Sequence, residues 1–369
     1  MKIIVLGGGM VGSVMAADLA TDHEVSCADL TPRHIPNVAY MPLDVTQREA
    51  VIKTVAPFDL VIGAVPGHLG YETLKAVIEA GKNVVDISFF PEDALELHEM
   101  AVRRNVIAVT DCGVAPGMCN MIAGYFDKQM AIDSYTCLVG GLPVVRTKPY
   151  EYKAPFSPID VIEEYTRPAR FRENGNIVTR EALSEIEEIW FDGVGTLEAF
   201  NTDGLRSLLH TLKHIPNLKE KTLRYPGHAG LMKVFRDTGL FSKEPVPAAG
   251  SNVAPVDIVS QLLFSTWKYQ RGEEDFTVMQ VIIEGQDANG NVKHTWSLYD
   301  RYDTEQHVMS MARTTGYTAT AVARLLLQQG WNTPGIIPPE HIGSNADAFQ
   351  FVLQQLKERN VIYRNITFR

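Results

Sequence analysis

The sequence predicts an α/β fold, a doubly wound parallel sheet of the Rossmann type with an inserted α+β domain. Over about the first 120 residues, short apolar runs alternate with helical patterns, as expected for parallel strands joined by helices. The pattern then changes, because Ser134–Gly140 and Phe276–Glu284 alternate between apolar and polar residues like strands of an open sheet. These observations together indicate two different sheets in one chain.

The composition is that of an acidic globular protein. The chain has 369 residues, enough for two or three domains, and its net charge is −10, from 44 acidic and 34 basic residues. Nucleic-acid binding needs a basic surface, so we expect no nucleic-acid partner. The longest apolar runs are too short for a membrane span, and the apolar start ends in glycines, so we expect neither a membrane segment nor a signal peptide.

The four cysteines are spaced neither as a disulfide framework nor as a zinc site. So few cysteines in a chain of this length are typical of a reducing compartment. We therefore expect a cytoplasmic protein whose site holds no metal ion.

A glycine-rich turn follows the first predicted strand, Lys2–Leu6, and precedes a helical pattern. This is the context that a G-x-G-x-x-G dinucleotide fingerprint requires. Gly7 permits the tight turn, Gly9 lets the backbone approach a pyrophosphate, and Gly12 lets the helix pack closely on the strand. A purely structural turn is the alternative. The cofactor-binding residues predicted in this turn are Gly7, Gly9, Met10, Val11 and Gly12.

A carboxylate follows the second predicted strand. Asp29 comes directly after Glu24–Ala28 and lies 22 positions after Gly7. An acidic residue there binds the ribose hydroxyls of NAD and would repel the 2′-phosphate of NADP. The sequence therefore favours NAD, and the nearby Arg33 leaves NADP as the alternative.

Four more strands are predicted in this part of the chain: Val38–Met41, Leu60–Ala64, Asn83–Ile87 and Val106–Thr110. In a doubly wound sheet, ligands bind outside the carboxyl ends of the strands. Polar or small residues lie at or just beyond these ends. The further residues predicted to contact the cofactor are Asp44, Val45, Ala64, Val65, Pro66, Asp86, Asp111 and Gly113.

The intervening segments carry helix signals. Thr46 and Glu49 form a T-x-x-E pattern, which predicts a capping box at the start of a helix. Further helices are predicted up to Ala80, over Pro91–Arg104, and after Asp111–Gly117, where Pro116 suits a first helical turn. Later in the chain, His294–Tyr299 is predicted to be the last strand, and Met309–Gln329 is predicted to be a helix.

Several short motifs resemble those of the saccharopine dehydrogenase family, and within it those of lysine 6-dehydrogenase most closely. They occur in family order, span most of the chain and are specific as a set. The motifs are Gly7–Gly12, Asp111–Met118, Val139–Pro143, Gly195–Phe200, Arg224–His228 and Met311–Tyr317.

The resemblance implies a Rossmann domain that is interrupted by a substrate domain, with the Arg313 helix returning to the first domain. It also implies a homodimer formed through the sheet of the substrate domain. The predicted domains are a dinucleotide-binding domain over 1–118 and about 309–340, a substrate-binding and dimerisation domain over about 119–308, and a C-terminal segment over about 341–369.

The resemblance further implies an NAD-dependent amino-acid dehydrogenase that oxidatively deaminates the terminal amine of L-lysine or a related amino acid. A saccharopine dehydrogenase is the first alternative, because Tyr152–Ser157 resembles the saccharopine-binding members and Asn201–Arg206 departs from the lysine 6-dehydrogenase pattern. A non-catalytic NAD-binding sensor is the alternative of another class, because a fold does not determine a function.

The catalytic candidates are His228 and Asp111. Histidine titrates near neutral pH, and His228 ends a matched motif, although a lone histidine is often a structural hydrogen bonder. Asp111 could bind the substrate ammonium or accept its proton, and the alternative is a carboxylate that braces a loop or caps a helix.

Cationic side chains are the candidates for binding the substrate's carboxylates. Arg224 could hold one carboxylate bidentately or form an inter-domain ion pair instead. Lys153 and Arg206 could add charge for a second carboxylate. Arg313 could hold either the substrate or a loop, and Phe89 could wall the nicotinamide pocket or belong to the core.

We predict that Asp29→Ala weakens binding of NAD and spares or improves binding of NADP, because the variant loses the ribose contact and also the repulsion of a 2′-phosphate. Fluorescence titration with both reduced cofactors measures this ranking. The opposite ranking would contradict the preference for NAD.

Overall fold

A computed structural model describes residues 1–248 and 250–369 of the chain. The chain divides into two compact units: Met1–Ala131 with Ala312–Tyr363, and Ile132–Met311 with Arg364–Arg369. The sequence places the first boundary near residue 118 and separates a C-terminal segment at about 341. In the structure, residues up to Tyr363 belong to the first unit, where Tyr125 and Phe349 stack with ring centroids 4.5 Å apart.

Strands and helices alternate in the first part of the chain. They are β1 (Lys2–Leu6), α1 (Met10–Leu19), β2 (Glu24–Asp29), β3 (Val38–Pro42), α2 (Arg48–Val55), β4 (Leu60–Gly63), α3 (Gly67–Glu79), β5 (Asn83–Asp86), a 3₁₀ helix (Ala94–Leu97), α4 (His98–Arg103), β6 (Ile107–Val109) and α5 (Met118–Asp127).

The middle of the chain is richer in strands. Its elements are β7 (Ala131–Pro143), α6 (Pro158–Thr166), β8 (Ala169–Glu173), β9 (Asn176–Arg180), β10 (Glu187–Phe191), β11 (Gly195–Asn201), α7 (Leu208–Thr211), β12 (Asn217–Arg224), α8 (His228–Asp237), β13 (Val246–Ala248), β14 (Ser251–Val253), α9 (Pro255–Trp267), β15 (Asp275–Asp287) and β16 (Gly290–Arg301). The last elements are α10 (Ser310–Gln329), β17 (Gly335–Ile337), α11 (Pro339–Gly343), α12 (Ala346–Glu358) and β18 (Tyr363–Phe368).

The first unit contains a seven-stranded sheet in the order β17-β6-β5-β4-β1-β2-β3. All of its neighbouring strands run parallel. This is the doubly wound Rossmann order, extended by β17 beside β6. β1 and β4 read as continuous apolar runs because helices cover both faces of the sheet, and all four residues of β4 are buried.

The second unit contains a mixed sheet in the order β10-β11-β12-β7-β15-β16-β18, with β8 and β9 attached to β12. β12 runs parallel to β7, whereas β15 and β16 form a long antiparallel hairpin. The predicted fold class is therefore confirmed. The last strand of this sheet along the chain is β18, whereas His294–Tyr299, predicted to be the last strand, lies inside β16.

Three local predictions are wrong. The Thr46 hydroxyl and N–H both bond the Asp44 carboxylate, and α2 begins at Arg48, so no Thr46–Glu49 capping box forms. Pro91–Arg104 is not one helix, because a 3₁₀ turn precedes a short α4. Pro116 lies outside the first turn of α5, which begins at Met118 after Gly117.

None of the described helices combines the length and the apolar character that crossing a membrane requires.

A buried ion-pair network joins α1 to α10 and α12 inside the first unit. The Arg324 guanidinium lies 2.7 Å from the Asp18 carboxylate and 2.8 Å from that of Asp22, and the Arg324 side chain is 3% exposed. Arg359 donates to the other oxygen of Asp18 at 2.6 Å. Removing one partner from a buried pair leaves an uncompensated charge, which is expensive.

We predict that Arg324→Met lowers the free energy of unfolding by about 3 kcal/mol. The matched control is Arg48→Met, because Arg48 pairs with Glu79 but is 56% exposed, and its loss should cost less than about 1 kcal/mol. Urea denaturation measures both. Equal losses would show that the α1–α10 network contributes no more than a surface pair.

Candidate functional site

The glycine turn after β1 is shaped by close backbone contacts. Gly7 has a φ of +100°, and its N–H donates to the Ala28 carbonyl at 2.8 Å. A Cβ on Gly12 would overlap the Gly7 carbonyl oxygen and would lie 3.2 Å from the Ala64 side chain. The turn therefore tolerates only glycine at these two positions.

Gly9 differs from its neighbours. Its φ of −67° suits any residue, and a Cβ placed on it would meet no atom within 4 Å. Gly9 is also the N-cap of α1, which begins at Met10 and continues through Val11. Open space beside the positive end of a helix is the arrangement that accepts a pyrophosphate, so these residues fit a dinucleotide.

Asp29 lies beside this turn, at the end of β2. Its carboxylate accepts the Gly8 N–H at 2.6 Å and the Thr31 N–H at 2.9 Å, and the Tyr40 hydroxyl donates to its carbonyl at 2.9 Å. The Cδ of Arg33 is 3.5 Å from the position that a Cβ would take on Gly8. A negative and a positive side chain thus flank the same glycine.

The other predicted cofactor residues follow neighbouring parallel strands, whose carboxyl ends share one edge of the sheet. Asp44 accepts hydrogen bonds from Thr46, which together lower its pKa. Val65 is buried and Pro66 is exposed, and the Gly113 N–H donates to the Pro116 carbonyl at 3.0 Å. The residues at this edge are Gly7, Asp29, Asp44, Val45, Ala64, Val65, Pro66, Asp86, Asp111 and Gly113.

In the second unit, Arg224 is the centre of a buried polar group that we call the Arg224 cluster: Tyr152, Glu164, Tyr165, Arg224 and His228. The guanidinium lies 3.0 Å from Glu164, donates to the Tyr165 hydroxyl at 3.3 Å, and lies 4.5 Å from the centre of the Tyr152 ring. Burial lowers the pKa of Arg224, but the surrounding tyrosines and Glu164 raise it by more, so the arginine stays charged. Its ion pair lies within one unit and is not the inter-domain pair that the sequence offered as an alternative.

His228 is 2% exposed, and both of its ring nitrogens are bonded. Nδ1 lies 2.9 Å from the Tyr150 carbonyl and must donate to it, so Nε2 accepts from the Tyr165 hydroxyl at 2.9 Å. Burial and the charge of Arg224 lower the pKa of His228 to about 3. This environment does not favour titration near neutral pH, which was the reason for choosing His228, and the catalytic role of His228 stays a prediction.

Burial raises the pKa of Tyr165 to about 12, so its hydroxyl keeps its proton. Tyr165 accepts from Arg224 and donates to His228, which orients all three side chains. Tyr165 and Glu164 were not predicted from the sequence, because they belong to a helix without a matched motif. The only signal was a single tyrosine that directly follows two glutamates in α6.

The turn between β12 and α8 is braced by a neighbouring motif. Glu198 accepts the Gly227 N–H at 2.8 Å and the Ala229 N–H at 2.5 Å, which caps α8. The Tyr225 hydroxyl donates to the Pro143 carbonyl at 3.0 Å. The matched motifs around residues 143, 198 and 224–228 therefore form one packed corner.

The other predicted substrate residues are distributed between the two units. In the second unit, Lys153 pairs with Glu273 at 2.7 Å, and Arg206 is 7% exposed. In the first unit, Arg313 donates to the Arg359 carbonyl at 3.0 Å, and Phe89 is half-buried after β5. Within residues 1–248 and 250–369, no group of three or more His, Cys, Asp or Glu side chains is arranged to hold a metal ion.

Two protein-family models match the chain. Residues 113–362 match the saccharopine dehydrogenase C-terminal domain, and residues 3–109 match the saccharopine dehydrogenase NADP binding domain. The narrower resemblance to lysine 6-dehydrogenase stays a prediction.

Curated relatives carry related names. Saccharopine dehydrogenase (NADP(+), L-glutamate-forming) of Schizosaccharomyces pombe is 24% identical over 92% of this chain and 93% of its own length. Mitochondrial alpha-aminoadipic semialdehyde synthase of Mus musculus is 26% identical over 72% of this chain, which spans only 30% of the mouse protein.

Solved structures share the fold. Apo saccharopine dehydrogenase (L-Glu forming) from Saccharomyces cerevisiae has a TM-score of 0.79 at 20% identity, with both chains fully covered. Homospermidine synthase from Legionella pneumophila, solved with NAD, has a TM-score of 0.67 at 12% identity and covers 100% of this chain and 91% of its own.

We predict that Gly9→Ala leaves the free energy of unfolding within about 0.5 kcal/mol of wild type but weakens cofactor binding about tenfold, because its methyl group occupies space needed by the pyrophosphate. Gly12→Ala should instead lose about 1–3 kcal/mol of stability through its clash with Gly7. Thermal unfolding and fluorescence titration with reduced cofactor separate the two effects.

The control is Gly230→Ala in α8, where a Cβ also meets no atom within 4 Å. It should bind cofactor like wild type. Normal cofactor affinity in Gly9→Ala would contradict the placement of the pyrophosphate.

Proposed function

This chain belongs to the saccharopine dehydrogenase family, and we propose that it is an NAD(P)-dependent enzyme that oxidises the secondary amine of saccharopine and releases glutamate. The observation that carries this proposal is the end-to-end similarity to the Schizosaccharomyces pombe enzyme, which covers 92% of this chain and 93% of that protein. A match of this extent includes both units, and not the dinucleotide-binding part alone.

The first unit supports the cofactor half of the proposal. When bound, the nicotinamide supplies the hydride acceptor. Gly9 and the N-terminus of α1 would hold the pyrophosphate, and Asp29 the adenosine ribose. Arg33, beside the same glycine, offers a positive charge for the 2′-phosphate of NADP. This pair of charges is consistent with use of either nucleotide.

Positive charge in the second unit supports a substrate with more than one carboxylate. Arg224 stays ionised although it is only 3% exposed, and Glu164, 3.0 Å away, compensates part of its charge. Burial and the charge of Arg206 lower the pKa of Arg167, whereas Asp203 and Glu163 raise it. Asp203 also holds Arg170 in a bidentate ion pair at 2.9 Å, so acidic side chains compensate part of the arginine charge in this part of the unit.

Oxidation of the amine and hydrolysis of the product require one proton acceptor and one water molecule. The substrate nitrogen must lose its proton as hydride leaves the adjacent carbon, and Asp111 is the acceptor that we propose. Water then adds to the resulting C=N bond, which breaks to give an aldehyde and glutamate.

Oxidative deamination of lysine is the second candidate, and one observation favours it. Lys153 is already compensated by Glu273 at 2.7 Å, so it adds little charge for a second carboxylate. Lysine has one carboxylate and would need fewer cations than saccharopine. Its oxidation would release ammonia in place of glutamate.

We predict that the purified enzyme reduces NADP or NAD with saccharopine and forms one glutamate for each cofactor reduced. Absorbance of the reduced cofactor and amino-acid analysis of the products measure this. Ammonia from lysine, without glutamate from saccharopine, would identify the second candidate. If saccharopine, lysine, ornithine and other diamino acids all fail to reduce the cofactor, the proposed enzymatic activity is contradicted and a non-catalytic sensor is favoured.

Arg206→Ala tests whether Arg206 helps the enzyme to choose between saccharopine and lysine. It should reduce kcat/KM for saccharopine more than for lysine, because only saccharopine carries the additional carboxylates. Equal losses on the two substrates would remove Arg206 from substrate selection.

A further inference from the structure

Two buried aspartates, Asp86 and Asp111, lie at the ends of neighbouring parallel strands in the first unit. β5 and β6 are parallel neighbours with Val85 opposite Val109, so Asp86 at the end of β5 lies next to the segment that leaves β6. The Cys112 N–H donates to the Asp86 carbonyl at 3.0 Å and ties this segment to β5. Asp86 is 1% exposed and Asp111 is 6% exposed. The strand register thus brings both carboxyls to the edge where the cofactor is proposed to bind.

The space around Asp86 is adapted to its carboxyl group. A Cβ on Gly63 of the neighbouring β4 would overlap one carboxyl oxygen, so only glycine leaves room for this side chain. Oδ1 accepts the Ser88 N–H at 2.8 Å, and the Ser88 hydroxyl lies 3.3 Å from Oδ2. The protein therefore holds Asp86 in one orientation.

Within residues 1–248 and 250–369, Asp86 has no lysine, arginine or histidine partner, and the groups that face it are Ser88, Asp111 and the Cys112 thiol. Burial without a cation makes the charged form of a carboxyl expensive, and a second carboxylate beside it adds to that cost.

The same environment keeps both neighbours of Asp111, the Asp86 carboxyl and the Cys112 thiol, in their protonated forms. Burial, opposed by the Ser88 hydrogen bonds and reinforced by the Asp111 charge, raises the pKa of Asp86 to about 8. Burial and both carboxylates also raise the pKa of the Cys112 thiol, which therefore stays protonated and does not compete as an anion. Asp111 has a φ of +53°, a conformation that aspartate tolerates better than most residues.

We infer that Asp86 and Asp111 form a carboxyl pair in which Asp86 is a positioning residue that stays protonated, while Asp111 accepts the proton that the substrate amine loses. The identity of that proton donor rests on the proposed function, but the protonation of Asp86 does not. One proton moves from the substrate nitrogen to the Asp111 carboxylate as hydride leaves the adjacent carbon. When the surroundings of two neighbouring carboxyl groups differ in this way, the group that is not kept protonated is the candidate base.

The protonated Asp86 should make the free energy of unfolding depend on pH. Because the folded-state pKa of Asp86 lies above its unfolded value, the native state holds one more proton than the unfolded state between about pH 5 and pH 7.5. The stabilising contribution is complete below the unfolded pKa and is lost as the pH rises through about 8. Relative to Asp86→Asn, the unfolding equilibrium constant of wild type should therefore rise about tenfold per pH unit in this range.

Urea denaturation at a series of pH values measures this difference. Asp133→Asn is the matched control, because Asp133 is exposed, and it should follow the wild type at every pH. Parallel pH dependence in wild type and Asp86→Asn would overturn the inference. If Asp86→Asn does not fold, Asp111→Asn tests the same pair: it should move the wild-type transition to lower pH, and an unmoved transition would overturn the pairing.

The pH dependence of activity shows whether Asp86 acts on the catalytic base or has only a structural role. In wild type, kcat/KM should show a transition near pH 8 that is absent from Asp86→Asn, since asparagine mimics the protonated acid and cannot ionise. A lower rate with the same transition would overturn the positioning role. If wild type is inactive on every amino acid while the unfolding data behave as expected, the proposed function fails and the carboxyl pair stands.

Discussion

Parallel strands that run in one direction must end at the same edge of their sheet, and the whole first unit depends on this constraint. β1 lies inside the sheet between β2 and β4, so its glycine turn is close to the ends of both neighbours. Gly7 therefore contacts Ala64, and Gly8 bonds Asp29, although these residues are far apart in the chain. The same edge receives Asp86 and the segment that leaves β6. A cofactor held at the N-terminus of α1 lies along a row of functional groups because the strand order collects them.

Buried charge is handled in two opposite ways in this protein. Arg224 is surrounded by Glu164 and two tyrosines, and it keeps its charge although it is almost fully enclosed. Asp86 is equally enclosed, but its charged neighbour is another carboxylate, and it keeps its proton. Burial penalises both ions, so the sign of the neighbouring charge decides which of them survives. The first arrangement keeps a buried cation in an ion pair, and the second keeps a buried acid neutral.

The family motifs of the second unit are largely explained by packing. Tyr225 bonds Pro143, and Glu198 bonds two backbone N–H groups at the start of α8, so three separate motifs meet at one corner. His228 belongs to the same corner and is neutral because it is buried beside Arg224.

The strands β1 to β6 and the glycine turn could be predicted from the sequence alone, since burial on both faces demands apolar runs and a tight turn demands glycine. Lys2–Leu6 was predicted with its observed bounds, and Asp29 was placed correctly at the end of β2. The capping box failed because Thr46 had a second local partner, Asp44, and the sequence does not rank the two. The protonation of His228 and Asp86 could be decided only by the tertiary structure. A pKa depends on burial and on charges contributed by distant parts of the chain, and those neighbours exist only once the chain has folded.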